Sequence, residues 1–133
     1  MKFITKDSCY AMQALCYLAK KDNEKVAVSE LAEALDIPRA FLRKILQTLS
    51  NHNLLISYKG TGGGFQLKKK PADIYLLDVM EIFQGPLEFH NYLVGDKVCP
   101  HIKACKVKKK IDDINTYALS KLQGVSLKEL IKD

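Results

Sequence analysis

No stretch of this 133-residue chain is apolar for long enough to span a bilayer, and no charged-then-apolar start marks a secretory signal. Both absences argue against a membrane role and lead us to expect a soluble, cytoplasmic protein. No internal repeat is visible, so a solenoid or propeller is not indicated. The usual signs of catalysis are missing as well. There is no motif of paired carboxylates and no Ser–His or Cys–His arrangement in a fitting context. The single glycine run lacks the Lys-Ser/Thr and helix that follow a nucleotide-binding loop. We therefore expect no enzyme. The most telling absence is local. Between Ile37 and Ala72 there is no Asp or Glu at all, while Arg39, Arg43, Lys44, Lys59, Lys68, Lys69 and Lys70 all fall there.

The remaining composition is that of a folded domain. Hydrophobic residues make up 47% of the chain, and the length suffices for one domain with a modest core. The net charge is +6. A run of lysines is most often a solvated surface. A single-sign block that coincides with a candidate recognition helix is instead a footprint for a polyanion.

Periodicity places that helix. Ala11, Met12, Leu15, Leu18 and Ala19 predict a helix over residues 7–21. Asp22-Asn23-Glu24-Lys25 reads as a polar turn and Val26-Ala27-Val28 as a short extended piece. Ser29 is the expected N-cap of a second helix over 29–36, with Leu31 and Leu35 inward. Ile37-Pro38 makes the turn, and Pro38 suits the first turn of a third helix that runs to about Asn51. That helix carries Phe41, Leu42, Ile45, Leu46 and Leu49 as its inward stripe. Arg39, Arg43, Lys44, Gln47 and Thr48 are left outward. Two helices joined by a short turn, the second bearing exposed Arg, Lys and Gln, form a helix-turn-helix pattern. Arg pairs with guanine edges, Gln with adenine, and Lys mostly with phosphate.

The glycine run Tyr58-Lys59-Gly60-Thr61-Gly62-Gly63-Gly64-Phe65 follows directly. Leu54-Leu55-Ile56 and Phe65-Gln66-Leu67 flank it, which reads as two short strands joined by a basic tip, a wing. Glycines let the backbone approach phosphates closely and Lys59 supplies charge beside them. Leu76 to Phe83 reads as a fourth helix, stopped by Gly85-Pro86. Residues 86–105 carry no clear period and read as a loop, a length that is usually functional or disordered. Val107, Ile111, Ile114, Ala118 and Leu122 then place one apolar seam on a long helix over about 107–123. Such a seam fits a partner helix and, for a DNA-binding chain, a homodimer. The competing expectation is that the seam packs back on its own domain. A short amphipathic tail, Ser126-Leu127-Lys128-Glu129-Leu130, closes the chain.

The four cysteines are Cys9, Cys16, Cys99 and Cys105. Cys16 lies in apolar surroundings and reads as a core residue. Cys9 falls near a helix start, where thiol pKa is lowered, and is either reactive or merely packed. Cys99 and Cys105 stand beside Lys103, Lys106, Lys108, Lys109 and Lys110, and positive charge favours thiolate. Their spacing does not match a zinc finger. Two further ligands would be needed for a metal, and Cys9, His90 and His101 are the nearest candidates. On the residues alone a metal site, a thiol switch and a plain loop all remain open. His52 reads as a surface or DNA-proximal residue.

Taken together, these residues resemble the Rrf-type winged helix-turn-helix transcriptional regulators. The family includes iron–sulfur cluster, nitrite-sensitive and cysteine-metabolism regulators. The resemblance is carried by Tyr10-Ala11-Met12 with Ala14-Leu15, Leu31-Ala32, Phe41-Leu42 with Ile45-Leu46, and Lys59 through Phe65 with Leu67. It continues in Leu77-Asp78-Val79 with Gly85-Pro86, and in Ser126 through Leu130. It implies a mainly α fold with a small β wing. Residues 1–85 would form the DNA-binding domain, 86–106 a Cys-containing sensor loop, and 107–133 the dimerisation helix and tail. It further implies a homodimeric repressor on a pseudo-palindromic operator in double-stranded DNA. Pro38, Arg39, Ala40, Arg43, Lys44, Gln47, Lys59, Gly60, Thr61 and Gly62 are its expected contacts. Pro38 and Ala40 stand where small hydroxyl residues are common in the family, and an Arg stands at 43, so the target sequence does not carry over.

The resemblance also implies a sensor of redox, iron–sulfur or nitric oxide status. An iron–sulfur cluster (2Fe–2S or 4Fe–4S) would be held by Cys99, Cys105, His90 and the partner subunit's Cys9. Cluster-binding members carry three loop cysteines. Cys99 and Cys105 match the second and third, while the first falls near Leu93-Val94 and is absent. Members without the triad act as thiol sensors or through partner proteins, which is the alternative here. A protein-interaction module is a further rival, separable by a gel-shift assay.

Overall fold

The computed structural model describes residues 3–87, 93–94, 97–98, 100 and 102–132. Three helices, α1 (Lys6–Ala19), α2 (Val28–Leu35) and α3 (Arg39–Asn51), precede an antiparallel ribbon of β1 (Leu55–Tyr58) and β2 (Gly64–Leu67). A 3-10 turn at Pro71–Asp73 leads into α4 (Leu76–Gln84). Beyond it come a second ribbon of β3 (Leu93–Val94) and β4 (Lys97–Val98), α5 (Lys106–Leu122) and α6 (Leu127–Leu130). This is a mostly helical winged-helix fold with a small β wing, the expected class.

Helix α1 is the hub, packing against α2, α3, α4, α6 and β2. Its Ala11, Ala14, Leu15 and Leu18 are closed to solvent, and Leu31, Leu42, Leu46, Leu49, Leu55 and Val79 close around them. The small residues at 11 and 14 let neighbouring helices approach, and the leucines fill the space between. A polar clamp fixes the start of α1. The Thr5 hydroxyl oxygen accepts from Ser8 N–H at 3.3 Å, capping the helix. Gln84, at the far end of α4, accepts through Oε1 from Thr5 N–H at 3.0 Å and from the fully buried Ser8 hydroxyl at 2.7 Å. Its Nε2 donates to the Phe3 carbonyl at 3.0 Å.

The α2–α3 corner is made by a different residue from the one the sequence reading favours. Asp36 caps α2 in the left-handed conformation (φ 53°), and Ile37 N–H returns to the Ala32 carbonyl at 3.1 Å. An Asp tolerates this region better than most residues. Ser29 is not the N-cap of α2: Ala27 is, and no side chain caps the helix. The reason is that Val26 is drawn into the wing, pairing both ways with Phe65 (N–H to O at 2.9 and 2.8 Å), so the helix starts at once behind it. Pro38 is likewise the N-cap of α3 rather than a member of its first turn.

Two further differences concern the C-terminal half. The 86–105 segment, expected as an aperiodic loop, contains the β3–β4 ribbon and a 3-10 turn at Ile102–Ala104. The ribbon strands are two residues each, too short for any period to register. The tail, grouped above with the dimerisation helix, returns to the winged-helix body. Leu127 is fully buried, its N–H donates to the Ile74 carbonyl at 2.7 Å, and Ser126 bridges Tyr75. Helix α5 differs from all the others in having no buried residue.

Candidate nucleic-acid interface

The wing is set by register and by steric fit. Leu55 pairs with Leu67, Ile56 with Gln66, Ser57 with Phe65 and Tyr58 with Gly64. Leu55, Phe65 and Leu67 turn inward and anchor the ribbon to the core, while Ile56, Tyr58 and the tip face outward. Two glycines allow the close approach. A Cβ on Gly64 would lie 2.7 Å from the Val26 carbonyl carbon, and one on Gly63 would lie 2.8 Å from the Gly60 carbonyl oxygen. Lys59, Gly60, Thr61 and Gly62 form an exposed tip.

Helix α3 buries Leu42, Ile45, Leu46 and Leu49, which rotates Arg39, Ala40, Arg43, Lys44 and Gln47 to the surface. No side chain caps its N-terminus at Pro38, leaving first-turn N–H groups and the positive end of the helix dipole facing outward. Within the helix, Gln47 Nε2 donates to Asn51 Oδ1 at 3.4 Å and the Thr48 hydroxyl donates to the Lys44 carbonyl at 2.9 Å. His52 Nδ1 lies 2.9 Å from the Thr48 carbonyl, which places this exposed ring at the C-terminal end of α3.

Arg39, Arg43, Gln47, Lys59 and Gly60 come together around one open cleft of about 410 Å³ between α3 and the wing. Among the described residues none of Arg39, Arg43, Lys44 and Lys59 forms an ion pair, so their charge is available to an external anion. Pro38, Ala40, Lys44, Thr61 and Gly62 are exposed nearby but do not line the cleft. The acid-free basic block therefore divides. Lys68, Lys69 and Lys70 line a different cleft, with Asp22, Asn23 and Ile56. Sequence proximity alone had merged the two groups.

Two residues near the interface escaped the sequence reading. Ser29 lines the α3–wing cleft from the first turn of α2. Lys25 holds its ammonium 5.0 Å from the centroid of the Tyr58 ring, next to Lys59. Lys25 lies outside the acid-free interval and beside Glu24, so no charge pattern singles it out.

Among the described residues the cysteines are Cys9 and Cys16 on α1 and Cys105 at the start of α5. Cys105 is the N-cap of α5, half-buried, and its Sγ accepts from Lys108 N–H at 3.4 Å. Lys103, Lys106, Lys108 and Lys109 surround it. Cys9 is half-buried on α1, with Gln13 Nε2 at 3.5 Å from its Sγ. Cys16 is half-buried rather than fully in the core; burial pushes its thiol pKa up, partly opposed by Lys20. Cys99, His90 and His101 lie outside the described residues. Among the described residues no group of three or more His, Cys, Asp and Glu side chains gathers to hold a metal.

Comparison with known proteins agrees with this architecture. A family model described as "Rrf2: Iron-dependent Transcriptional regulator" matches residues 4–133. A protein of Aquifex aeolicus (strain VF5), named as an HTH-type transcriptional regulator, is 33% identical over 124 residues, covering 92% of this chain and 86% of its own. Among solved structures, CymR of B. subtilis, titled the global cysteine regulator, superposes with a TM-score of 0.78 at 21% identity, over 100% of both chains. IscR of T. potens superposes with a TM-score of 0.77 at 22% identity, over 100% of this chain and 88% of that one. At these identities the two structures speak for the fold. No helix among the described residues is long and apolar enough to cross a membrane.

Proposed function

The chain belongs to the Rrf2 family of transcriptional regulators, and we propose that it is a homodimeric, sequence-specific repressor that reads DNA with α3 and the wing. The observation that carries this reading is the unpaired positive cleft in which Arg39, Arg43, Gln47 and Lys59 converge from two separate elements. A helix with exposed Arg and Gln suits base edges in the major groove, and a glycine-framed lysine suits the phosphate backbone. Pro38, Ala40, Lys44, Gly60, Thr61 and Gly62 complete the contact surface. The dimer brings two such surfaces to a pseudo-palindromic operator. The exposed seam of α5 supports that dimer: Val107 is 66% and Ile114 54% exposed, although both are apolar. Titrating labelled duplexes from upstream of the gene tests this reading. Tight, salt-sensitive binding to one duplex supports it, and equal weak binding to all contradicts it.

The sensing site is proposed at residues 86–106. An iron–sulfur cluster (2Fe–2S or 4Fe–4S) there would draw on Cys99, Cys105, His90 and the partner subunit's Cys9. Cys105 fits such a role by its place: its Sγ is half-buried at the start of α5 and accepts from the Lys108 N–H at 3.4 Å, with Lys103, Lys106 and Lys109 beside it. Of the other proposed donors, Cys99 and His90 lie outside the described residues and Cys9 would come from the partner subunit. When bound, a cluster would supply one-electron redox chemistry, with histidine ligation raising its potential. The second reading, favoured by the absence of a cysteine near Leu93-Val94, where cluster-binding members carry their first loop cysteine, is a cluster-free regulator. It would use Cys99 and Cys105 as a thiol switch or act through a partner protein. In either case a change at Cys105 acts on the first turn of α5, and so on the spacing of the two recognition helices. Anaerobic purification with iron and sulfide quantification separates the two. Matched iron and sulfide, lost in Cys105→Ala, supports the cluster; an iron-free protein that still binds DNA supports the switch.

A further inference from the structure

The outward face of the wing carries contacts that DNA recognition does not itself explain. Gln66 stands opposite Ile56, two pairs back from the Tyr58–Gly64 pair that closes onto the tip. Its Oε1 accepts from the Tyr58 hydroxyl at 2.9 Å, and its Nε2 donates to the carbonyl of Asn23 in the α1–α2 turn. That turn passes through Asp22 and Asn23 with φ of 50° and 66°, both left-handed. Lys25, from the same turn, covers the Tyr58 ring. On the other side, Val26 pairs with Phe65. The ribbon is thus tied to the α1–α2 segment by two independent sets of hydrogen bonds.

Why a wing needs such a tie follows from its size. Four-residue strands in a two-stranded ribbon are marginal alone, and the tip projects beyond the last pair. Two pairs of antiparallel strand span roughly 7 Å, so a small rotation at the base is enlarged at the tip. Lys59 directly follows Tyr58, and fixing the Tyr58 ring fixes the backbone from which Lys59 departs.

We propose that Gln66, bridging Tyr58 to the Asn23 carbonyl, is a positioning residue that sets the angle of the wing and so presents Lys59 to the phosphate backbone. This rests on the DNA-binding reading above. Gln66 itself touches no nucleic acid; it acts through Lys59. Three consequences separate it from a merely structural residue. The melting temperature of Gln66→Ala stays close to wild type, because the side chain lies on the outer face. Amide exchange accelerates at residues 59–64 in the free protein and not in α1, α3 or α4. The loss of DNA affinity depends on Lys59 being present.

The experiment is a double-mutant cycle with Gln66→Ala and Lys59→Ala, measured with a random-sequence duplex of about 30 base pairs at low salt, where backbone contacts dominate. Gln66→Ala in the wild-type background is expected to weaken binding about two- to tenfold, the scale of one or two hydrogen bonds. In the Lys59→Ala background the same change is expected to have little effect. Tyr58→Phe, which keeps the ring under Lys25, should reproduce part of the loss. Losses that simply add, or unchanged exchange at the tip in Gln66→Ala, overturn the proposal while leaving DNA binding intact. A wild-type protein that binds no duplex at all contradicts the DNA reading itself, and the strut falls with it.

Discussion

Gly64 lies against the Val26 carbonyl, and Gln84 holds two donors of the α1 N-terminus at once; each makes a sharp expectation for a single substitution. A methyl group on Gly64 collides with backbone rather than with a movable side chain, at a φ of 154° that L-residues rarely adopt. Gly64→Ala should displace the wing and weaken DNA binding while the α1–α3–α4 core persists, as read by binding beside circular dichroism. Gln84→Ala strands Thr5 N–H and the buried Ser8 hydroxyl. It should cost about 1–3 kcal/mol in denaturant unfolding, the penalty of an unsatisfied buried donor. Cys16 has its thiol pKa raised by burial. Its thiolate is therefore scarce at neutral pH, and its alkylation should be slower than that of a free thiol and should speed up as pH rises. The turn at the wing tip was legible in the sequence because it closes on itself, Gly63 N–H meeting the Gly60 carbonyl at 3.0 Å, whereas the packing of Gly64 on distant Val26 was not. Gln84 was not, because its partners are 79 and 76 residues away and no pattern near it announces them.

At the scale of elements, periodicity carried furthest where one face meets the core along several turns. The stripe of α3 reads correctly from Leu42, Ile45, Leu46 and Leu49, and with it the outward set Arg39, Arg43, Lys44 and Gln47. Phe41, at the edge of the stripe, is half-buried and packs edge-on to Tyr10 with centroids 5.5 Å apart. Charge patterning was a blunter guide. It placed Lys68, Lys69 and Lys70 with the recognition residues, whereas they line the cleft beyond the base of the wing. Lysine to alanine changes there should reduce duplex affinity less than Lys59→Ala does, a comparison that fluorescence anisotropy makes directly. The amphipathic tail was legible as such, but a helix of four residues gives no sign of what its apolar side meets. Its Leu127 is nevertheless fully buried, and Leu127→Ala should destabilise the fold by about 2–5 kcal/mol.

For the whole molecule, α5 is the element that the single chain leaves unsatisfied. None of its residues is buried; Tyr117 is 64% exposed, and Ile111, Ala118 and Leu122 are half-buried. Val107 and Ile114 stand open to a partner, while Ile111, Ala118 and Leu122 are partly covered within the single chain. Ile114→Glu should shift a dimer towards monomer in sedimentation without loss of helix. Because operator affinity depends on two half-sites held together, the same change should weaken operator binding far more than binding to random duplex. Chain reversal at Gly124 then carries α6 back to the winged-helix body, so the C-terminal end of α5 is tied to it through Leu76 N–H to the Val125 carbonyl and Leu127 N–H to the Ile74 carbonyl. The proposed reading of DNA by α3 and the wing rests on the charges of Arg43 and Lys59. The most direct test is the salt dependence of binding to upstream and random duplexes, for wild type, Arg43→Ala and Lys59→Ala. We predict a steep wild-type slope that flattens by roughly one unit per protomer in Lys59→Ala. Arg43→Ala should instead lose discrimination between the two duplexes, by about 1–3 kcal/mol per half-site. An unchanged slope in Lys59→Ala together with unchanged discrimination in Arg43→Ala would contradict the account.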